Sequence, residues 1–231
     1  MSNPRELMAR LNPQTIKYDV GRGGVSELTN QDIAAALAFV PAGLGREVLT
    51  ACWWEGGASN ARLMDAVLAA VSVEWSRQAK RMGDARTELG IAEAIAGWNR
   101  ATSPEQRRAV ERARARYEAV RDESWPRETG AMLPALVKSC VKEIACRNHC
   151  ADCDGRGHVV RANLVVCCTK CLGSGVVPMS NSARAKAIGR DEASFRRNWS
   201  AVYMWLLGLM TDAEQDAARS MARALSSDRA A

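Results

Sequence analysis

The stretch from Cys150 to Gly175 writes one short pattern twice. Cys-x-x-Cys-x-Gly-x-Gly occupies 150–157 and recurs at 168–175, with fourteen residues between the inner cysteines Cys153 and Cys168. Two Cys-x-x-Cys pairs at this separation are the spacing of a structural Zn(Cys)4 site. A tetrahedral ion with Zn–S bonds of about 2.3 Å needs four thiolates converging on one point. Two residues between cysteines let a single tight turn supply two of them. The trailing glycines let the chain leave each turn with positive φ. The expected ligands of one structural Zn2+ are therefore Cys150, Cys153, Cys168 and Cys171. Cys167 sits beside Cys168 and competes with it, but only Cys168 keeps both the cysteine spacing and the following Gly-x-Gly. Between the two turns, His158–Val166 reads as a short β-hairpin around Arg161-Ala162-Asn163, which would fold the turns over a common ion.

Composition decides what surrounds this module. The chain has 231 residues, enough for one or two domains with a core, and 47% are apolar and 25% charged. Alanine and arginine abound while phenylalanine and tyrosine are scarce, which favours helices over sheets. All cysteines except Cys52 fall between 140 and 171. With no secretory leader and no apolar run near the roughly 20 residues of a membrane span, that clustering points to metal in a reducing cytoplasm. The formal charge of +6 permits a nucleic-acid partner without establishing one.

The chain divides as follows. Residues 1–28, interrupted by Gly21, Gly23 and Gly24, read as a flexible N-terminal arm. An N-terminal helical region spans 29–82. It has a first helix capped by Thr29 and ended by Pro41, a second from Gly43 to Trp54, and a third from Ser59 with Leu63, Val67, Val71 and Trp75 at helical spacing. A charged helical insertion covers 83–129. Its first half is broken by Gly90 and Gly97. Its second half starts at a capping box, Ser103-Pro104-Glu105-Gln106, and carries a narrow apolar seam of Val110, Ala113, Tyr117 and Val120. A helix over 130–149 leads into the zinc module at 150–177. Residues 178–226 hold a helix-turn-helix and further C-terminal helices, with a last short helix capped by Thr211. In the helix-turn-helix, Ala185, Gly189 and Phe195 fill the small, turn and apolar positions. The side chains placed to meet DNA are Arg184, Lys186, Arg190, Ser194, Arg196, Arg197 and Asn198, since arginine and asparagine can pair with base edges and arginine also grips phosphate. The fold class expected is mainly α, a helical bundle with an inserted Zn(Cys)4 β-hairpin and a helix-turn-helix.

On these residues the chain resembles the late-gene antitermination protein Q family of lambda-like bacteriophages. The likeness rests on the duplicated CxxCxGxG module, on Val177-Pro-Met-Ser-Asn-Ser-Ala-Arg-Ala-Lys-Ala187 running into a helix-turn-helix with Trp199, and on the Leu28–Ala36 helix followed by a Gly-rich, Cys-containing stretch to Trp54. It covers roughly 28–82 and 130–225, with 84–128 as an insertion. The resemblance implies a protein that binds double-stranded promoter DNA and engages paused bacterial RNA polymerase at its flap region beside the primary sigma factor. Such a protein then lets the enzyme read through pauses and terminators. It implies no small-molecule substrate and no membrane partner. Two other readings compete. The CxxCxGxG repeat also belongs to DnaJ-type chaperones, which carry four copies and a His-Pro-Asp helical domain, whereas this chain has two copies and no such tripeptide. A zinc-containing DNA-binding regulator without a polymerase role fits the residues equally well. An enzyme fits poorly: four cysteines fill a zinc site, and the chain has only two histidines.

Overall fold

A computed structural model describes residues 4–9, 30–54, 60–98, 103–146, 150–161 and 164–227. It is mainly helical, with one small two-stranded sheet. The chain forms two compact units, 1–66 with 128–231, and 67–127. The first boundary falls inside a helix at Val67, not at 83.

In the first unit the helices are α1 (Pro4–Ala9), α2 (Asn30–Ala38), α3 (Leu44–Trp53), the start of α4 (Asn60–Trp98), α6 (Thr129–Ala145), α7 (Asn181–Ala187) and α8 (Glu192–Ser194). A π-helical turn (Phe195–Trp199) continues α8 directly into α9 (Ser200–Ser227). Helix α9 is the common surface: α1, α2, α3 and α6 all pack on it. One end of the core gathers Met8, Ile33, Val40, Leu49 and Met221, all buried. At the other, Leu133, Leu136 and Cys140 of α6 are buried, as are Val202, Tyr203 and Leu206 of α9. Helix α9 runs unbroken through Thr211, where a new helix was expected. Ala213, Glu214, Ala217 and Ala218 continue its inward stripe, so burial keeps the helix going where local capping chemistry would allow a stop.

The described part of the N-terminal arm is docked. Leu7 and Met8 are buried, and Arg5 makes two hydrogen bonds of 2.7 and 2.6 Å to the fully buried Glu214. Trp53 Nε1 donates to the same carboxylate at 2.9 Å. Residues 10–28 lie outside the described residues, as do Thr29 and Ser59. Helix α3 crosses α9 so closely that a Cβ on Gly45 would lie 2.4 Å from the Ala213 carbonyl oxygen.

The second unit holds most of α4 together with α5 (Pro104–Glu123). The breaks expected at Gly90 and Gly97 do not occur, because α4 continues to Trp98. Its withdrawn side chains include Gln78, Met82, Ala85, Leu89, Ala92 and Ala96. Those of α5 include Gln106, Val110, Ala113, Tyr117 and Val120. Both lines alternate steps of four and three, the spacing of a coiled coil. Three ion pairs fix the pairing as antiparallel: Arg81–Glu123 at 2.6 Å, Glu88–Arg116 at 2.9 Å and Glu93–Arg114 at 3.0 Å. These exposed pairs contribute about 0–1 kcal/mol each, so they specify register more than stability. The helix tolerates its glycines because a packed seam offsets a cost of about 1 kcal/mol apiece. At the start of α5 the expected capping box is present: the Gln106 N–H donates to Ser103 Oγ, and the Ser103 N–H to Gln106 Oε1.

Replacing Gly45 with alanine forces α3 away from α9. A loss of about 1–3 kcal/mol is expected, seen in thermal unfolding as a lower Tm at roughly 2–4 °C per kcal/mol. Gly83→Ala, where a Cβ meets nothing within 4 Å, is expected to raise it.

Candidate metal centre and the adjoining helices

Cys150, Cys153, Cys168 and Cys171 are all buried, and their sulfurs lie within 4.8 Å of one another. Cys150 and Cys168 sulfurs are 3.8 Å apart and those of Cys153 and Cys171 3.7 Å. Four sulfurs at about 2.3 Å from a central ion in a tetrahedron stand about 3.8 Å apart, so the set has the size a metal ion requires. A disulfide, with sulfurs about 2.05 Å apart, is not formed, and all four thiols are free. Cys167 is exposed and its sulfur points to the Cys168 carbonyl, outside the cluster. The choice of Cys168 over Cys167 therefore has a geometric reason: the cysteine that follows the strand turns inward.

The two halves of the module share their main contacts. The Gly157 N–H donates to Cys153 Sγ at 3.3 Å, and the Gly175 N–H to Cys171 Sγ at the same distance. The Cys150 N–H reaches the Gly175 carbonyl at 2.8 Å, and the Cys168 N–H the Gly157 carbonyl at 2.9 Å. Each turn thus donates to its own sulfur and is tied to the other. Gly157 and Gly175 have φ of +77° and +73°. A Cβ on Gly157 would lie 2.3 Å from the Gly173 oxygen, and one on Gly175 2.2 Å from the Gly155 oxygen. Both glycines are required by conformation and by space. Strands β1 (His158–Arg161) and β2 (Leu164–Cys167) pair antiparallel between the turns.

The thiols share one electrostatic environment. Burial pushes Cys153 up to about 11, against the Gly157 N–H, which favours its thiolate. Burial also opposes ionisation of Cys171. There the Gly175 N–H, the sulfurs of Cys168 and Cys153, and the Gly173 N–H together bring it down to about 7. The Gly157 and Gly175 N–H groups each favour the thiolate form of the sulfur they reach, which suits a cation.

The module is framed by α6 before it and α7 after it, and a buried polar network joins these helices. Arg184 of α7 forms two hydrogen bonds with Glu143 of α6, and Tyr203 of α9 donates to Glu143 Oε2 at 2.8 Å. Ser139 and Tyr203 hydroxyls are 2.9 Å apart. Since the Tyr203 proton goes to Glu143, Ser139 is the donor there. Burial raises the Tyr203 phenol far above its ordinary pKa, so that proton stays in place. The Arg184 guanidinium also lies 5.4 Å from the Tyr203 ring centre. Arg184, expected to meet DNA, is instead 7% exposed and committed to this network. Nothing in the local sequence separates it from Lys186, because its partners are 41 and 19 residues away on other helices.

The other basic side chains divide by their partners. Arg190 is exposed, pairs with Glu128 at 3.1 Å and lies over the buried Trp199 ring. Arg196 pairs with Glu192 one turn earlier. Lys186, Arg197 and Asn198 are exposed, and Lys186 and Arg197 make no ion pair with another described residue. Ser194 is half-buried, and its N–H is capped by Asp191. Ala185 and Phe195 are buried and Gly189 has φ +68°. The π turn was not foreseen. The Ser200 N–H bonds to the Phe195 carbonyl, and both Phe195 and Trp199 are buried within it.

Comparison with protein-family models, with curated proteins and with solved structures found no match.

Two pairs of substitutions test these assignments. Cys168→Ser is expected to release bound metal while Cys167→Ser retains it, measured as metal per chain after dialysis. Arg184→Ala leaves Glu143 buried without its cation and should cost about 3–5 kcal/mol, read from denaturant unfolding, whereas Lys186→Ala should cost almost nothing.

Proposed function

We propose that the chain is a transcription antiterminator of the lambda-like phage Q type. In this reading it carries one structural Zn2+, binds promoter DNA and loads onto paused bacterial RNA polymerase. The observation that carries it is the four-cysteine cluster set directly before the α7–α8 helical pair, a combination that the resemblance leads one to expect. Zinc suits the site because four cysteines at these distances form a closed tetrahedral set, which is structural rather than catalytic. The ion fixes the two turns, and the Glu143–Arg184–Tyr203 network carries that geometry to α7. The helical pair then acts as a helix-turn-helix, with the segment from Ser194 to Asn198 as the reader. Lys186, Arg190, Arg196, Arg197 and Asn198 form its DNA face, and Arg184 serves it from behind by holding α7. Zinc binding of this kind contributes folding energy directly. The cytoplasm of a bacterial host is the compartment this role requires. Among the described residues, no helix is long and apolar enough to cross a membrane.

Single-round transcription with bacterial holoenzyme decides the reading, on a template with the cognate late promoter and a downstream intrinsic terminator. Protein-dependent read-through that requires the promoter-proximal DNA is the expected result. Promoter binding with unchanged termination would leave a zinc-containing DNA-binding regulator. Arg197→Ala should weaken DNA binding. If Arg197 contacts a phosphate, the slope of log K against log salt should become shallower by about one. If it reads a base, the slope should hold and sequence preference relax.

A further inference from the structure

The coiled coil of the second unit has an apolar stripe on its outside. Ile91, Ile95 and Trp98 are 56%, 49% and 89% exposed. They are spaced by four and three residues, which places them on one face of α4. No described residue of this unit covers them. Scattered exposed aliphatics need no explanation, but three large ones in register, ending in a nearly bare tryptophan, mark a contact surface.

The heptad register shows what lies beside the stripe. The pairs Arg81–Glu123 and Glu88–Arg116 occupy matching flank positions of the antiparallel coil. Carrying the register toward the end of α4 places Arg112 of α5 level with Ile91, and Glu105 level with Trp98, on the same side. Both are exposed. Neither makes an ion pair with another described residue, although their neighbours Arg114 and Arg116 do. The stripe is therefore flanked by a cation at one end and an anion at the other.

We propose that this face binds a second copy of the same chain, with the two α4 helices antiparallel across a two-fold axis near Ile95. The four-three spacing read backwards is three-four, so the stripe is complementary to itself. Ile91 of each copy meets Trp98 of the other, and the two Ile95 side chains meet at the axis. The same operation brings Arg112 of each copy beside Glu105 of the other, forming two equivalent ion pairs from groups that pair with no other described residue. This charge complementarity selects a second copy over an unrelated helix. Between Ala94 and Trp98 α4 carries no charge, and Glu93 is already paired with Arg114, so the two α4 helices bring no like charges together at the axis. With only three large apolar residues per copy, the contact falls below a standard interface of about 800 Å² per partner, and the dimer is weak and reversible.

Sedimentation equilibrium of the full chain over a concentration series tests this independently of any role in transcription. A reversible monomer–dimer equilibrium is expected. Ile95→Glu, at an exposed position, should abolish it with unchanged helical circular dichroism. Arg112→Glu should weaken association about tenfold or more, and the double variant Glu105→Arg/Arg112→Glu should restore it. A strictly monomeric wild type overturns the proposal, as does a dimer that Ile95→Glu leaves intact. Loss of association in Ile95→Glu, with no effect of Arg112→Glu and no rescue by the double variant, overturns the antiparallel register.

Discussion

Between Cys150 and Val177 the only buried side chains among the described residues are the four cysteines. Val159 and Val177 pack against them only in part. A segment of that size with no aliphatic core cannot offset its backbone entropy by hydrophobic burial. What holds it is the convergence of four sulfurs on one point, supported by reciprocal N–H bonds between the two turns. An ion bound at that point would take the place of the missing core, and the module's geometry is built around it. The glycines follow too: a side chain at Gly157 or Gly175 would strike the opposite turn and push the sulfurs apart.

The module would be a loose appendage if its ends were not held. Glu143 and Arg184 lie on the helices entering and leaving it, and Tyr203 on α9 closes the triangle. No fully buried side-chain nitrogen or oxygen among the described residues lacks a partner, so the burial of this junction leaves no such group unsatisfied. Its value lies in orientation. A hydrophobic contact between α6 and α7 could slide by a fraction of a turn, whereas a bidentate guanidinium–carboxylate pair has one geometry. The same device recurs at Arg5, Glu214 and Trp53, where α1 is fixed on α3 and α9. In both places α9 supplies a buried polar side chain in the middle of an apolar stripe. The long C-terminal helix thus acts as a ruler against which the other elements are positioned.

The four-cysteine cluster was legible because its determinant is local. Spacing within each turn and the repetition of the turn fix which cysteines converge, and only Cys167 against Cys168 left a choice. The capping box of α5 was legible for the same reason. What the sequence did not reveal depends on partners distant along the chain. Gly90 and Gly97 are helix breakers by propensity, but the seam formed with α5 outweighs them. Thr211 is a good cap by type, but Glu214 and Ala217 have to be buried, and the helix does not stop. Met8 and Leu7 follow no strong periodicity in six residues, so only the groove they fill could show that the chain before residue 10 is docked.

The arginines show the same limit and change how the basic charge should be read. Counted by composition, they suggest a broad cationic surface. In the structure Arg184 is buried and Arg5 is half-buried against Glu214. Arg81, Arg114 and Arg116 set the register of the coiled coil, and Arg77 serves the buried Glu74. Arg190 and Arg196 are partly neutralised by Glu128 and Glu192. A phosphate approaching the last two must compete with a carboxylate, which lowers its gain from each, while Lys186 and Arg197 form no ion pair with another described residue. Net charge sets how fast a polyanion is drawn in, but the pattern of internal pairing decides where on the surface it can settle.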